Sequence, residues 1–154
     1  MEHPAVYTCR MFSRSRKSRA RTLVKGVCAG ETRQVLNLLT DDFEFIDSRS
    51  VRVSGRKAFA DVLNGLDRMN LDLKIKHDLV AVHGDEVLMS GEQTSVDPLF
   101  NARMQWRVQF RGSKISEVQT YRGAGAPSIV RLVSAMQSDQ IAEVKTPLQL
   151  FAAA

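Results

Sequence analysis

Several residue types and patterns are scarce in this 154-residue chain, and each shortage removes a class of function. The only cysteines, Cys9 and Cys28, have neither the spacing of a zinc site nor the density of a disulfide framework. Reduced thiols in a cytoplasmic protein are the expectation. The three histidines, His3, His77 and His83, show no metal-ligand spacing, so no metal is expected. No apolar run approaches the roughly 18 residues of a membrane span. No apolar stretch follows the N-terminal charges as a secretory signal would need. Gly123-Ala124-Gly125 follows a strand but lacks the third glycine and the acid of a dinucleotide site, so no cofactor is expected. Neither cysteine stands beside a base, which gives nucleophilic catalysis little support.

Hydrophobic content of 44% and charged content of 25% suit one globular domain with a substantial core. The net charge of +5 is uneven. Arg10, Arg14, Arg16, Lys17, Arg19, Arg21 and Lys25 precede every acid except Glu2, and the remainder is close to neutral. Such an arm can meet an anionic partner or form the solvated side of a first helix. No aromatic residues interleave with the charges as a stacking platform would require, so nucleic acid is not expected as a partner.

Periodicity divides the chain. Residues 1–17 read as a basic, weakly structured leader, with a helix plausible from about Ser13. Ala20, Leu23, Val24, Val27 and Cys28 form its apolar stripe, and Gly30 ends it. A short helix from Glu31 to Leu39 and an Asp41-Asp42 turn lead into a strand, Asp42 to Asp47. Val51 to Val53 is a short strand, and Ser54 is placed to cap a helix running to about Met69. Alternation then takes over. Leu71, Leu73, Ile75 and His77 share one face of a strand that continues to Val82, and His83-Gly84-Asp85 turns the chain. The returning strand reaches about Val96, where Asp97-Pro98 breaks it. Met104, Trp106, Val108 and Phe110 form the clearest apolar face, opposite Arg103, Gln105, Arg107, Gln109 and Arg111. A last strand runs from Ile115 to about Arg122. Pro127 then opens a helix bearing Ile129, Val130, Leu132, Val133 and Met136, and the end from Thr146 is weakly patterned. Helices followed by long strands predict an α+β fold, a curved and mainly antiparallel sheet wrapped around N-terminal helices. The boundaries are a leader at 1–17, a domain at 18–125, and a C-terminal helix and tail at 126–154.

Asp47 is the first candidate for chemistry. Phe43, Phe45 and Asp47 share a strand face, so the carboxylate ends an apolar row, where it is costly unless paired, hydrogen-bonded or protonated. It is either the polar group of a pocket, suited to acid–base work, or a residue that caps the Ser48-Arg49-Ser50 turn or pairs with Arg49. His77 can orient a ligand or be an ordinary core or edge histidine. Trp106 and Tyr121 can line a cavity with one donor each, or serve as plain core.

Three stretches carry a resemblance: Ala29-Gly30-Glu31 between two helices, Leu38-Leu39-Thr40-Asp41-Asp42-Phe43 into the first strand, and Ser54-Gly55-Arg56-Lys57-Ala58-Phe59 opening the third helix. With Phe110-Arg111-Gly112-Ser113-Lys114-Ile115, Val118 and Tyr121 as a closing hairpin, the chain from about Ser18 to Gly123 resembles the nuclear transport factor 2-like superfamily. That superfamily includes ketosteroid isomerases and SnoaL-like polyketide cyclases. The resemblance implies a cystatin-like cone with a cavity, here with an extra C-terminal helix. It places Asp47 at the family's general base, and strand register turns that residue toward an apolar cavity lined by Phe45, His77, Trp106 and Tyr121. The isomerase's tyrosine and second acid fall at about Leu23 and Trp106, which cannot replace a short hydrogen bond to an enolate, so steroid-type isomerisation is not expected. Two readings follow: a cofactor-independent isomerase, cyclase or dehydratase using Asp47, or a non-catalytic dimeric ligand-binding or scaffold module. The expected partners are a small apolar or amphipathic molecule and a second copy of the chain, whose Arg103, Gln105, Arg107 and Gln109 row would make a wet interface or its rim.

Overall fold

A computed structural model describes the backbone of residues 4–123 and 127–135 and the side chains of residues 14–123 and 127–135. His3, Met136 and the expected tail with Leu148, Leu150 and Phe151 lie outside the described residues, and Cys9 is described in its backbone alone.

The first helix, α1, spans Pro4–Ala29, so helix runs through most of the stretch expected to be an irregular leader. Proline is compatible with a first turn, where its missing N–H leaves no bond unmade. Gly30, at φ +71°, ends α1 in a Schellman arrangement. Glu31 N–H donates to the Gly26 carbonyl at 2.9 Å and Gly30 N–H to that of Val27 at 3.4 Å. Ala20, Leu23 and Val24 of α1 are buried. On its polar side, Arg16 and Arg19 are tied down rather than solvated. Arg16 donates to the Gly84 carbonyl at 2.8 Å, pairs with Asp85 at 2.9 Å and lies over the Phe110 ring. Arg19 donates to the Ser113 carbonyl. Two of the basic charges therefore fasten α1 to two hairpin turns.

Helix α2 (Thr32–Asn37) leads into strand β1 (Leu39–Ile46), followed by β2 (Arg52–Ser54) and α3 (Arg56–Arg68). Asp41 and Asp42, expected in a turn, belong to β1. Ser54 closes β2 and leaves the start of α3 to Gly55, whose φ of 89° no β-carbon would favour. Then come β3 (Lys74–His83), β4 (Glu86–Thr94), a 3₁₀ turn at Pro98–Phe100, β5 (Ala102–Arg111) and β6 (Lys114–Arg122). Leu71 and Leu73 precede β3 instead of lying in it, because Asn70 and Asp72 take positive φ values of 51° and 47°. A final helix, α4, covers 129–135.

The six strands form one sheet in the order β2-β1-β6-β5-β4-β3, antiparallel except for the parallel β1–β6 pair. Its inner face carries Val87, Met89, Met104, Trp106, Val108, Phe110, Ile115 and Val118, which pack on Leu23 and Val24 of α1 and Phe59 and Leu63 of α3. Phe43 and Phe45 meet Phe59 at centroid distances of 4.9 and 5.3 Å. The arginines of β5 point outward and are paired across strands: Arg103 with Asp78 at 2.6 Å and Glu92 at 3.1 Å, Arg107 with Glu86, and Arg111 with Asp42 at 2.9 Å.

One irregularity bends the sheet. In the β3–β4 ladder His77 stands opposite Gly91, but Leu79 stands opposite Ser90, leaving Asp78 as an extra residue in β3. A bulge of this kind bends and twists its strand. Strict alternation would return Leu79 to the His77 face. After the bulge, Leu79 is 56% exposed and Val80 packs on the core instead.

Candidate functional site

Asp47 follows the last residue of β1 and is 1% exposed. Both alternatives drawn from the sequence meet in it, since it is buried and it also organises the following turn. One carboxylate oxygen accepts from the backbone N–H groups of Arg49 at 2.9 Å and Val51 at 3.0 Å. The other accepts from the Ser128 hydroxyl and, at 3.4 Å, from the Val130 N–H. Ser128 in turn accepts from the Arg131 N–H at 3.1 Å, so it caps α4. The Asp47 carboxylate thus sits at a helix N-terminus, where negative charge is favoured. Four donors converge on two oxygens, and the side chain joins the β1–β2 turn to α4.

The cavity of the cone lies elsewhere. An apolar chamber of about 70 Å³ is lined by Phe45, Phe59, Leu63, Phe100, Met104 and Trp106, among others. Its polar lining comes from Cys28, Gln93 and Thr120. Burial pushes the Cys28 thiol up to about 11, so it stays protonated at neutral pH and is a poor nucleophile. Asp47, His77 and Tyr121 do not line the chamber. Of the residues expected around Asp47, Phe45 and Trp106 are therefore brought together, in a space that the carboxylate does not enter. Tyr121 is 43% exposed and borders a hollow on the outer sheet face with Leu79, Leu88 and Arg107. Its strand position puts it opposite Gln105, on the polar side of β5.

His77 lies outside the chamber, against its Trp106 wall. Its ring meets Trp106 edge-on at 5.4 Å and borders a polar cleft of about 630 Å³ between α1 and β3, with Lys25, Glu31, Asp72 and Lys74. Neither ring nitrogen has a hydrogen-bond partner among the described residues. Burial does most to push the ring toward its neutral form. The charges of Arg21 and Lys25 add to this, against the weaker opposite pull of Asp78 and of the Ser90 carbonyl, which stands outside hydrogen-bonding geometry. A histidine pKa lowered by folding makes the unfolded chain the better proton acceptor. Its contribution is complete above the unfolded value of about 6.5 and is lost as pH falls through the folded value. Denaturant melts of the wild type should lose stability as pH drops below about 6.5, and His77→Phe should flatten that slope. Asp42 and Asp78, held low chiefly by their hydrogen bonds to Arg111 and Ser90 respectively, act in the same direction but only below about pH 4.

Sequence reasoning missed Gln93, Phe100 and Thr120 as cavity residues. Alternation from Val87 through Met89 and Gly91 points Gln93 inward, and this was the available signal. Among the described residues, no cluster of three or more histidine, cysteine or acidic side chains can hold a metal ion. No described helix is long and apolar enough to cross a membrane.

No protein-family model matches the chain, and no curated protein matches its sequence significantly. Solved structures do match in shape. One is a protein of ketosteroid isomerase-like fold from Catenulispora acidiphila, solved in complex with trimethylamine: TM-score 0.62, 16% identity, covering 70% of this chain and 87% of that one. Another is a nuclear transport factor 2-like protein from Burkholderia xenovorans: TM-score 0.59, 17% identity, covering 74% and 93%. A third is a de novo designed protein with a curved β-sheet: TM-score 0.67, 14% identity, covering 80% and 97%. Natural and designed sequences alike reach this shape, so shape alone carries no activity. The chain has the nuclear transport factor 2-like fold, a cystatin-like cone of curved sheet around helices.

Proposed function

We propose that this protein is a small-molecule-binding module that takes an apolar ligand into the chamber walled by Phe45 and Trp106, with Asp47 acting as a structural acid. The observation that carries this reading is the saturation of Asp47. A carboxylate already accepting from Arg49, Val51, Ser128 and Val130 has no geometry left for a substrate proton. The chamber itself offers no charged group to develop or stabilise charge in a reaction. The trimethylamine complex of the Catenulispora acidiphila protein supports a ligand of a few non-hydrogen atoms in this fold. Trp106 is the single tryptophan of the chain, so its fluorescence reports on the chamber. Titration with a small hydrocarbon such as 2-methylpropene should change Trp106 emission saturably. An emission that does not respond, or responds linearly without limit, rejects the chamber as a binding site.

The outer sheet face favours a second copy of the chain as partner. Leu79, Leu88 and Tyr121 are 56%, 42% and 43% exposed around a hollow of about 300 Å³, rimmed by Gln105 and by Arg107 in its pair with Glu86. An apolar centre with a polar rim is the anatomy of an association surface. Sedimentation should give a dimer that Leu79→Asp with Leu88→Asp converts to monomer, and a wild-type monomer at micromolar concentration rejects it.

A further inference from the structure

The chamber wall includes one polar side chain whose hydroxyl the packing leaves unsatisfied. Thr120 is 4% exposed, lies opposite Trp106 in the β5–β6 ladder, and lines the cavity with its hydroxyl lacking any partner among the described residues. Gln93, the other buried polar side chain there, is anchored, because its amide donates to the Phe100 carbonyl at 2.7 Å. A valine would fill the Thr120 position with the same shape and no desolvated hydroxyl. Buried hydroxyls ordinarily find a partner, and one left without it in a cavity wall is poised to receive one from a ligand.

We infer that Thr120 is the specificity-determining residue of the chamber, and that the ligand is a small neutral molecule bearing one oxygen acceptor, a ketone or alcohol, bound to the Thr120 hydroxyl. This rests on the chamber being a binding site and names the class of molecule it takes. Neutrality follows from the lining, which contains no charged side chain to offset the desolvation of an ion. Size follows from volume. About 70 Å³ is roughly half the space in which a protein cavity takes up benzene, which limits the ligand to on the order of three or four non-hydrogen atoms. The walls of Phe45, Phe59, Phe100 and Trp106 would cover the hydrocarbon part while the hydroxyl of Thr120 meets the oxygen.

The test compares acetone with 2-methylpropene, which has nearly the same shape and no oxygen, on the wild type and on Thr120→Val. Binding is read from Trp106 emission and from amide shift titrations. The variant should fold at least as stably as the wild type, since it loses a buried unpaired hydroxyl. It should bind acetone about five- to tenfold more weakly and 2-methylpropene equally well. Hydrocarbon binding with no Thr120-dependent preference for the ketone overturns the assignment of Thr120 and leaves the chamber as a binding site. Failure of the wild type to bind either probe overturns both.

Discussion

Replacing Asp47 by alanine is expected to destabilise the protein by about 3 kcal/mol or more, lowering its melting temperature by roughly 10 °C. The loss follows from what remains behind. The N–H groups of Arg49, Val51 and Val130 and the hydroxyl of Ser128 all stay buried or half-buried without their acceptor. Each such orphan costs about 1–3 kcal/mol, and shared relaxation makes the total less than the sum. Asparagine should recover part of this. Its oxygen can still accept from Arg49 and Val51, but its amide N–H₂ then faces the Val130 N–H as donor against donor. A cost of about 1–3 kcal/mol is expected for Asp47→Asn. An acid ending an apolar row without partners would give the opposite result, a neutral or favourable Asn, because an unpaired buried charge would be removed. A double-mutant cycle with Ser128→Ala, read by denaturant unfolding, should show coupling of about 0.5–3 kcal/mol, because both residues hold the start of α4. An Asp47→Ala variant as stable as the wild type would return the residue to the list of candidate acids.

Asp47 also shows where sequence reading ends. Register placed it correctly on a buried face, since Phe43 and Phe45 fix which side of β1 looks inward. The same periodicity said nothing about what would meet the carboxylate, because Ser128 and Val130 lie 81 and 83 residues away. The inner face of β5 was legible for the same reason as that of β1: an unbroken alternation from Met104 to Phe110 leaves only one side apolar. Tyr121 was misplaced because β6 carries an irregularity. Gln109 pairs with Glu117 and Phe110 with Ile115, so Ser116 is left over and the parity of the strand changes along its length. Period-2 arguments hold only between such interruptions. Local signals divided. Gly30 ends α1 as its neighbours alone indicate, and Asp97-Pro98 follows β4, which stops at Thr94. The Asp41-Asp42 turn and the Ser54 cap were overridden when those residues joined β1 and β2.

The curvature that makes the chamber depends on a position with no side chain, and this gives the second large expected effect. Gly91 is buried in β4 opposite His77, at the point where the β3–β4 register shifts. A β-carbon there would lie 2.4 Å from the Lys76 carbonyl oxygen and 3.0 Å from the His77 α-carbon. Both are backbone atoms, so no rotamer change relieves the contact, and β3 must move away from β4. Overpacking of this kind costs about 1–3 kcal/mol in a core that can yield. A clash with hydrogen-bonded backbone yields less, which puts Gly91→Ala at about 3 kcal/mol or above. The damage should extend beyond stability, because the same stretch holds His77 edge-on against Trp106. Displacing β3 separates those rings and opens the chamber wall, so the Trp106 emission of the folded variant should shift toward that of a hydrated indole. Gly84→Ala makes the matched control. It lies at the tip of the same hairpin with nothing within 4 Å of its β-carbon, so its cost comes from a φ of 58° alone, about 1 kcal/mol. A Gly91→Ala variant no less stable than Gly84→Ala, with unchanged Trp106 emission, would mean that the close approach of β3 to β4 is not what shapes the cone.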